Sequence, residues 1–293
     1  MTASSRPARL VVGCGYLGER VARAWLAAGD RVLGVTRRPA RAAELAAAGI
    51  EPVVADVAAE GTWWTALPPL ATAFWAVGFD RTADGTHRDV HVTGLGRLLD
   101  GLAAASRERA VAPPRIILSS STGVWGDEGG GIVDESTPPR PTRDAGRALV
   151  EAEGLLRGHP LGPGVALRFA GLYGPGRLPR LDDLRHGRPL AADPDSWLNL
   201  VHVDDAARAV RLVAAAAAPR PLYVVSDGRP VRRRDWYGRL ASLVGAPAPA
   251  WAPAAPRDRG ADKRVDPKLL VRDLGFAPAH PDALVALAEL VPP

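Results

Sequence analysis

A glycine-rich turn near the N-terminus constrains this chain more than any other feature. The apolar residues 10–12 are typical of a buried strand, and Gly13, Gly15 and Gly18 follow with the spacing G-x-G-x-x-G. Apolar side chains then recur at helical spacing over residues 16–28. A strand that turns tightly into a helix directs backbone N–H groups and the positive helix end at one point, which suits a pyrophosphate. The pattern predicts a dinucleotide site; the alternative is a glycine-rich turn without a ligand.

The predicted site extends from this turn to the ends of the neighbouring strands. We expect Gly13 to form the turn, Gly15 to allow close approach of the phosphates, and Gly18 to pack the helix against the strand. The residues expected to contact the dinucleotide are Gly13, Gly15, Tyr16, Leu17, Gly18, Thr36, Arg37, Arg38, Asp56, Ala76, Val77, Gly78 and Ser119.

The end of the second predicted strand bears on the choice of cofactor. An acidic residue there accepts hydrogen bonds from the ribose of NAD, whereas arginine suits the 2′-phosphate of NADP. This strand ends in Thr36, Arg37 and Arg38, and guanidinium groups bind phosphate through charge-assisted bonds. We therefore expect NADP, with NAD as the alternative; a competing interpretation is that the arginines only begin a solvated helix. Asp56 is expected at the edge of the adenine.

Predicted strands and helices alternate through the first half of the chain. Strands are predicted over residues 10–12, 31–35, 51–55, 71–77, 115–119 and 165–169, and helices over residues 16–28, 40–48, 88–107 and 142–157. This alternation is typical of βαβ units. We expect an α/β fold with a doubly wound parallel sheet (a Rossmann fold) and a small mixed C-terminal substrate lobe. The predicted dinucleotide-binding domain covers residues 1–170, with 198–226 returning to it, and the lobe covers 171–197 and 227–293.

Beyond residue 171 the sequence has more loops and prolines. Further helices are predicted over residues 204–218, 232–244, 266–273 and 281–290, and a strand over 222–225. Asp204 or Asp205 is expected near the N-cap of the first of these helices. Residues 247–256 are rich in proline and alanine, which predicts a linker extended towards polyproline II.

Composition limits the class of protein. The chain has 293 residues and is 47% hydrophobic, without an apolar run long enough to cross a membrane. The single cysteine excludes an internal disulfide and fits a reducing, cytoplasmic environment. Residues 1–9 have no hydrophobic core, so no signal peptide is expected. The net charge of +5 comes almost wholly from scattered arginines, which predicts a solvated surface and no specific nucleic-acid partner.

Three segments resemble the extended short-chain dehydrogenase/reductase superfamily, which includes nucleotide-sugar epimerases and dehydratases. Residues 119–126 (SSSTGVWG) are similar to its S-S-x-x-V-Y-G segment, residues 168–177 (RFAGLYGPGR) to R-x-x-x-x-Y-G-P-G, and residues 199–206 (NLVHVDDA) to N-x-x-H-V-D-D-x-A. The resemblance covers nearly the whole chain in order and implies an NAD(P)-binding fold. The glycine turn departs from the superfamily's usual G-x-x-G-x-x-G, which indicates an atypical branch of NAD-dependent epimerase/dehydratase-like proteins.

The catalytic pair that the resemblance implies is missing. In the superfamily a Tyr-x-x-x-Lys pair exchanges the proton, because the lysine lowers the pKa of the tyrosine. Alignment of residues 141–149 (PTRDAGRAL) places Ala145 at the tyrosine and Leu149 at the lysine. The only lysines, Lys263 and Lys268, do not follow a tyrosine at that spacing.

Two other residues are candidates for contact with a substrate oxygen. Ser121 falls on the superfamily's catalytic Ser/Thr position, and its alternative role is to cap the strand end. Tyr173 lies on a loop expected to border the substrate cleft, and its alternative role is packing. Arg143 and Arg147, on a helix expected to flank the nicotinamide, can bind an anion or belong to a solvated face.

No metal site is expected from the sequence. His87 and His91 can share a helical face, but a third ligand is missing from that pattern. His202 is expected to order its own loop.

We expect an NADP-dependent oxidoreductase or epimerase-like enzyme that acts on a small molecule. Hydride transfer requires mainly that the nicotinamide be held against the substrate carbon, so an enzyme can work without the Tyr–Lys pair. The alternative is a non-catalytic NADP-binding sensor or scaffold, suggested by the loss of the pair at Ala145 and Leu149. The resemblance also implies dimer formation through helices 88–107 and 142–157, so a homodimer is left open.

Overall fold

The computed structural model describes residues 8–80, 82, 84–162, 164–253 and 261–291. Residues 1–7, where no signal peptide is expected, and residues 254–256 of the predicted linker lie outside this part. The strands are β1 (Ala8–Val12), β2 (Arg31–Thr36), β3 (Glu51–Val54), β4 (Thr72–Trp75), β5 (Arg115–Ser121), β6 (Ile132–Val133), β7 (Val165–Phe169), β8 (Gly171–Tyr173), β9 (Leu190–Ala191), β10 (Trp197–Leu198), β11 (Leu200–His202), β12 (Leu222–Val225), β13 (Val231–Arg232), β14 (Trp251–Ala252) and β15 (Arg264–Val265). The α-helices are α1 (Tyr16–Ala27), α2 (Pro39–Ala47), α3 (Leu95–Glu108), α4 (Asp144–Gly158), α5 (Leu181–Arg185), α6 (Val203–Ala215), α7 (Arg233–Leu243), α8 (Lys268–Leu274) and α9 (Ala283–Leu290).

Within the described residues, seven strands form one sheet in the order β12-β7-β5-β4-β1-β2-β3. β1 pairs in parallel with β2 and β4, β2 with β3, and β4 with β5. The order reverses at β1, since the chain continues to β2 and β3 on one side and returns to β4 on the other. Ligands of such sheets bind beyond the carboxyl ends of the strands at this switch point. The predicted doubly wound Rossmann sheet is confirmed.

The first of two compact units comprises Met1–Ser120, Arg147–Leu167 and Ala207–Leu222. Its core is built by apolar side chains of the sheet and of α3, among them Val12, Trp75, Leu95 and Leu118, each no more than 1% exposed. The strands alternate with amphipathic helices, because the apolar faces of the helices cover the two faces of the sheet. Each such side chain contributes roughly 1.5–3 kcal/mol by leaving water.

The second compact unit comprises Ser121–Gly146, Arg168–Ala206 and Tyr223–Pro293. Its core contains Tyr173, Trp236, Leu240 and Leu287, all fully buried. Short strand pairs connect its loops, such as β15 with β6 and β14 with β9. Each unit is built from three separate segments of the chain, whereas each predicted domain consists of two.

Two of three local features differ from the sequence-based expectations. The long helix predicted over residues 88–107 begins with the π-helical turn Asp89–Gly94 before α3. Helix α6 begins at Val203, so Asp204 and Asp205 lie in its first turn, near the N-cap as expected. Trp251 and Ala252, predicted in a polyproline II linker, form β14. In the described part of the chain, no helix has the length and apolar character needed to cross a bilayer.

Candidate functional site

The turn after β1 has a geometry that requires glycine at two positions. Gly13 has φ of +92°, and a Cβ there would lie 2.8 Å from the Cα atom of Val77. A Cβ on Gly18 would lie 2.1 Å from the carbonyl oxygen of Gly13. These close approaches hold the first turn of α1 tightly against the end of β1.

Gly15 borders open space instead. Among the described residues no atom lies within 4 Å of the position that its Cβ would take. Gly15 precedes α1 and has no side chain to cap it, while the amides of a first helical turn have no acceptor inside the helix. An anion can approach those amides through the space that a Cβ would fill. The cradle therefore fits the pyrophosphate of a dinucleotide.

The turn opens on a cavity of about 390 Å³ in the first unit. The ends of β1, β2 and β4 contribute most of its lining, as expected at a switch point. The lining residues are Gly13, Cys14, Gly15, Val35, Thr36, Arg37, Arg38, Arg41, Ala55, Val57, Ala76, Val77, Gly78, Phe79 and Asp80. Tyr16, Leu17 and Gly18 belong to the first turn of α1. The structure thus brings most of the predicted cofactor-binding residues together.

Arg37 is held at this cavity by an acidic residue from the loop after β4. Its Nη2 atom lies 2.8 Å from Oδ2 of Asp80, and both side chains are about two-fifths exposed. Hydrogen bonds from Thr82, and then the Arg37 guanidinium, lower the pKa of Asp80 to about 2. Arg38 is exposed, and its backbone N–H donates a hydrogen bond to Oγ1 of Thr36 at 3.4 Å. Arg37 is therefore positioned for an anion, with a carboxylate as its present partner.

Besides Tyr16, Leu17 and Gly18 of the first turn of α1, two further predicted contacts lie outside the cavity lining. Asp56 is exposed, and its carboxylate accepts from the N–H of Ala58 at 2.9 Å in a turn of its own loop. The structure therefore does not place Asp56 at the cavity, where we expected it to meet the adenine. Ser119 is half-buried on β5 and also lies outside the lining.

Sequence reasoning missed Arg41, which lines the cavity from α2. It pairs with Glu19 and Glu44 and donates to the carbonyl of Cys14 at 3.4 Å. Burial raises the pKa of the Cys14 thiol to about 12, so this cavity residue is a neutral thiol.

The second unit has its own pocket, of about 480 Å³. Its lining residues are Ser121, Thr122, Gly123, Trp125, Asp127, Thr142, Arg143, Ala170, Gly171, Arg180, Leu190, Ala191, Ala192, Trp197, Leu198, Asn199, Arg233, Tyr237, Ala261 and Lys263. Oγ of Ser121 accepts from the N–H of Gly123 at 3.0 Å. Ser121 therefore caps the turn after β5, which is its alternative role, and it also lines the pocket; its contact with a substrate oxygen stays a prediction.

This second pocket is rich in cations. Arg143, Arg180, Arg233 and Lys263 contribute to its lining, against the single carboxylate of Asp127 among the described lining residues. We had expected Arg143 to lie on helix α4, but it comes directly before the first residue of that helix. The sequence did not predict that Arg180, Arg233 and Lys263 line one pocket, because they come from segments far apart in the chain.

The sequence profile of the NAD dependent epimerase/dehydratase family matches residues 9–226. The chain belongs to this family. It is 36% identical to Protein YeeZ of Escherichia coli K12 over 180 residues, covering 60% of this chain and 62% of that protein. It is 33% identical to short-chain dehydrogenase/reductase family 42E member 1 of Bos taurus, covering 52% of this chain and 45% of that protein. The chain thus spans less than two thirds of the length of these relatives.

Solved structures show the same fold over almost the whole chain. The structure of MoeE5 in complex with UDP-glucose and NAD superposes with a TM-score of 0.79 and covers 97% of each chain at 23% identity. At that identity the likeness shows the fold. The family match and the short-chain dehydrogenase/reductase relative confirm the resemblance to that superfamily.

This member of the epimerase/dehydratase family has apolar residues at the expected catalytic pair. Ala145 is half-buried and Leu149 is buried on α4. Neither side chain can exchange a proton.

Tyr173 lies in the core of the second unit. It is fully buried, with its ring edge-on to those of His202 and Trp236. Burial raises the pKa of its phenol, and Tyr173 is not among the pocket-lining residues. The structure therefore supports its packing role and not the predicted contact with substrate.

A second histidine cluster lies away from the pocket lining. Ligand atoms of His202, Asp205 and His280 lie within 4.8 Å of one another. The Asp205 carboxylate accepts from the backbone N–H groups of Ala279 and His280 at 2.6 and 2.9 Å, and the His202 and His280 rings stack 3.7 Å apart. These contacts give the cluster a structural role in joining α6 to the segment before α9. The absence of a metal site stays a prediction.

Proposed function

We propose that this protein is an NADP-preferring oxidoreductase or epimerase-like enzyme that acts on a small anionic metabolite. The observation that carries the proposal is the cradle of the first unit, where open space above Gly15 meets the N-terminus of α1 and the Arg37 guanidinium. The family name and the NAD bound in the MoeE5 structure support a nicotinamide dinucleotide.

Different residues of the turn and the cavity are proposed to bind different parts of the dinucleotide. The first turn of α1, with Tyr16, Leu17 and Gly18, holds the pyrophosphate at its amides. Thr36, Arg37 and Arg38 hold the 2′-phosphate, because guanidinium groups offer bidentate, charge-assisted bonds. Residues 76–78 border the rest of the dinucleotide. When bound, the dinucleotide supplies or accepts the hydride.

The substrate class follows from the second unit's pocket. Three arginines and a lysine line it, and such a set favours a carboxylate or phosphate. The Ser121 hydroxyl is proposed to donate a hydrogen bond to the reacting oxygen. The UDP-glucose in the MoeE5 structure is an example of an anionic ligand on this fold. NAD remains the alternative cofactor, and a homodimer stays a prediction.

The test is a calorimetric titration of NADPH and NADH into the wild type and Arg37→Ala. We expect the variant to bind NADPH about 10 to 100 times more weakly and NADH unchanged, since charge-assisted bonds contribute about 1.5–3 kcal/mol. Arg31→Ala is the matched control, because Arg31 is also an exposed arginine paired with an acid, Glu51. Equal loss of NADPH and NADH, or no loss, would contradict the role of Arg37.

A substrate screen follows with NADPH bound and a panel of carboxylated or phosphorylated carbonyl compounds. Turnover of a member of the panel supports an enzyme. The comparisons with known proteins do not support the sensor or scaffold alternative. Dinucleotide binding without turnover of any panel member would count against the enzyme.

A further inference from the structure

One of the two lysines of this chain is buried in the pocket of the second unit. Lys263 is 4% exposed, whereas the side chain of Lys268 is 88% exposed and pairs with Asp266. Lysine is rarely buried without an anionic partner, because an ammonium loses its hydration. The position of Lys263 therefore requires an explanation.

The backbone around Lys263 is held on both sides. The Asn199 side chain accepts from the N–H of Val265 at 2.8 Å and donates to the carbonyl of Lys263 at 2.9 Å. The parallel pairing of β15 with β6 fixes the following residue, Arg264, opposite Ile132. Asn199 begins one of the segments that resemble the superfamily, so the motif has a local structural function here.

The Lys263 ammonium has neutral acceptors. Its Nζ atom donates to the carbonyl of Trp125 at 3.1 Å and to that of Gly126 at 3.4 Å. An ammonium has three N–H groups, so the two carbonyls that accept from it among the described residues leave one N–H, and Lys263 is among the residues that line the pocket with Ser121.

The surroundings of Lys263 bring the pKa of its amine close to neutral pH. Burial is the largest effect and lowers the pKa of Lys263 to about 8. Arg233 on α7 and Arg143 before α4 lower it further, while Glu128 and Asp127 on the loop after Gly126 raise it. A general acid or base works best when its pKa lies near the working pH.

We propose that Lys263 is the catalytic residue that exchanges a proton with the substrate oxygen, in place of the Tyr-x-x-x-Lys pair that this chain lacks. The inference rests on the proposed function. Reduction of a carbonyl would form a C–H bond at the carbonyl carbon as the C–H bond that supplies the hydride breaks on the reduced nicotinamide dinucleotide, which is thereby oxidised, and the π-electron pair moves to oxygen. An N–H bond of the Lys263 ammonium breaks as an O–H bond forms, which leaves a neutral amine and an alcohol. Oxidation of the alcohol runs through the same transfers in reverse.

The first test measures reactivity of the amine without turnover. Pyridoxal 5′-phosphate is an anionic aldehyde, and only a neutral amine forms an imine with it, which cyanoborohydride then reduces. Mass spectrometry of the peptides compares Lys263 with Lys268 from pH 6 to 10. We expect Lys263 to be labelled about tenfold faster at pH 8, with a midpoint near 8, although Lys268 is far more exposed. The pKa of Lys268 is raised by Asp266. Faster labelling of Lys268 throughout would overturn the proposal.

The second test uses turnover of the carbonyl substrate from the panel. Lys263→Arg keeps a cation but cannot release a proton near neutrality, and we expect kcat to fall about 10²- to 10⁴-fold. Lys268→Arg is the control and should keep the wild-type kcat and pH profile. A Lys263→Arg enzyme with the wild-type kcat and pH profile would overturn the proposal. Failure of the proposed function would instead show in calorimetry as absence of dinucleotide binding, which neither lysine test measures.

Discussion

Nη2 of Arg37 lies 2.8 Å from Oδ2 of Asp80, and both residues line the cavity beside the glycine turn. The guanidinium proposed to bind a phosphate is thus already paired with an internal carboxylate. An exposed pair of this kind contributes little to folding, but it can compete with a ligand for the same donor.

We expect Asp80→Asn to bind NADPH about two- to tenfold more tightly than the wild type, because the phosphate no longer displaces a carboxylate. NADH affinity should change less. Calorimetry at constant ionic strength measures both. Glu51→Gln, which removes the acidic partner of Arg31, is the control; weaker NADPH binding by Asp80→Asn would contradict the prediction.

Substitutions at two glycines of the turn are expected to have different effects, one on stability and the other on ligand binding. At Gly18 an added Cβ meets the Gly13 carbonyl at 2.1 Å, whereas at Gly15 it enters open space. We expect Gly18→Ala to lower the free energy of unfolding by about 1–3 kcal/mol. Gly15→Ala should keep the wild-type stability and weaken dinucleotide binding at least tenfold. Denaturant unfolding and calorimetry of both variants check this pair, and the reverse pattern would refute the assigned roles.

Adjacent serines of β5 provide a second matched pair. Ser120 is buried in the first unit and donates to Glu153 at 2.6 Å, whereas Ser121 lines the pocket of the second. Ser120→Ala is expected to lower the free energy of unfolding by about 1–3 kcal/mol. Ser121→Ala should lower kcat/KM with the panel substrate about 10- to 100-fold, and the lost cap on the Gly123 N–H should lower the free energy of unfolding by about 1 kcal/mol. Unchanged turnover in Ser121→Ala would remove Ser121 from the mechanism.

The buried carboxyl group of Asp227 is expected to make the stability of the protein depend on pH. Burial raises its pKa from 3.8 to about 7, with the nearby carboxylates of Asp282 and Asp205 adding to the effect. Between pH 4 and 7 the folded protein holds a proton that the unfolded chain has lost, so this contribution to stability is present at low pH and is lost as pH rises through 7. The Tm of Asp227→Asn minus the Tm of the wild type should therefore be larger at pH 8 than at pH 5. Thermal denaturation measures this difference, and parallel pH profiles of the two proteins would contradict it.

The chain order of apolar runs and glycines was sufficient to predict the sheet and the first unit's cavity. Strands and helices follow local periodicity, and the carboxyl ends of neighbouring parallel strands meet at one edge, so the sequence is enough to group Gly13, Arg37 and Val77. Asp56 does not line the cavity, because its carboxylate accepts from the N–H of Ala58 in a local turn that the strand pattern does not reveal. Tyr173 was misplaced because burial depends on neighbours distant in sequence.

The second unit's pocket depended on the tertiary structure. Lys263 meets the carbonyl of Trp125 across 138 residues of chain, and Arg180 and Arg233 come from other segments again. Local periodicity carries no information about such contacts, since they form only when loops from separate parts of the chain pack together. The sequence by itself determined a Rossmann sheet, a dinucleotide cradle and the loss of the Tyr–Lys pair. Only the tertiary structure decided which cations line the second pocket, because burial and long-range packing place them there.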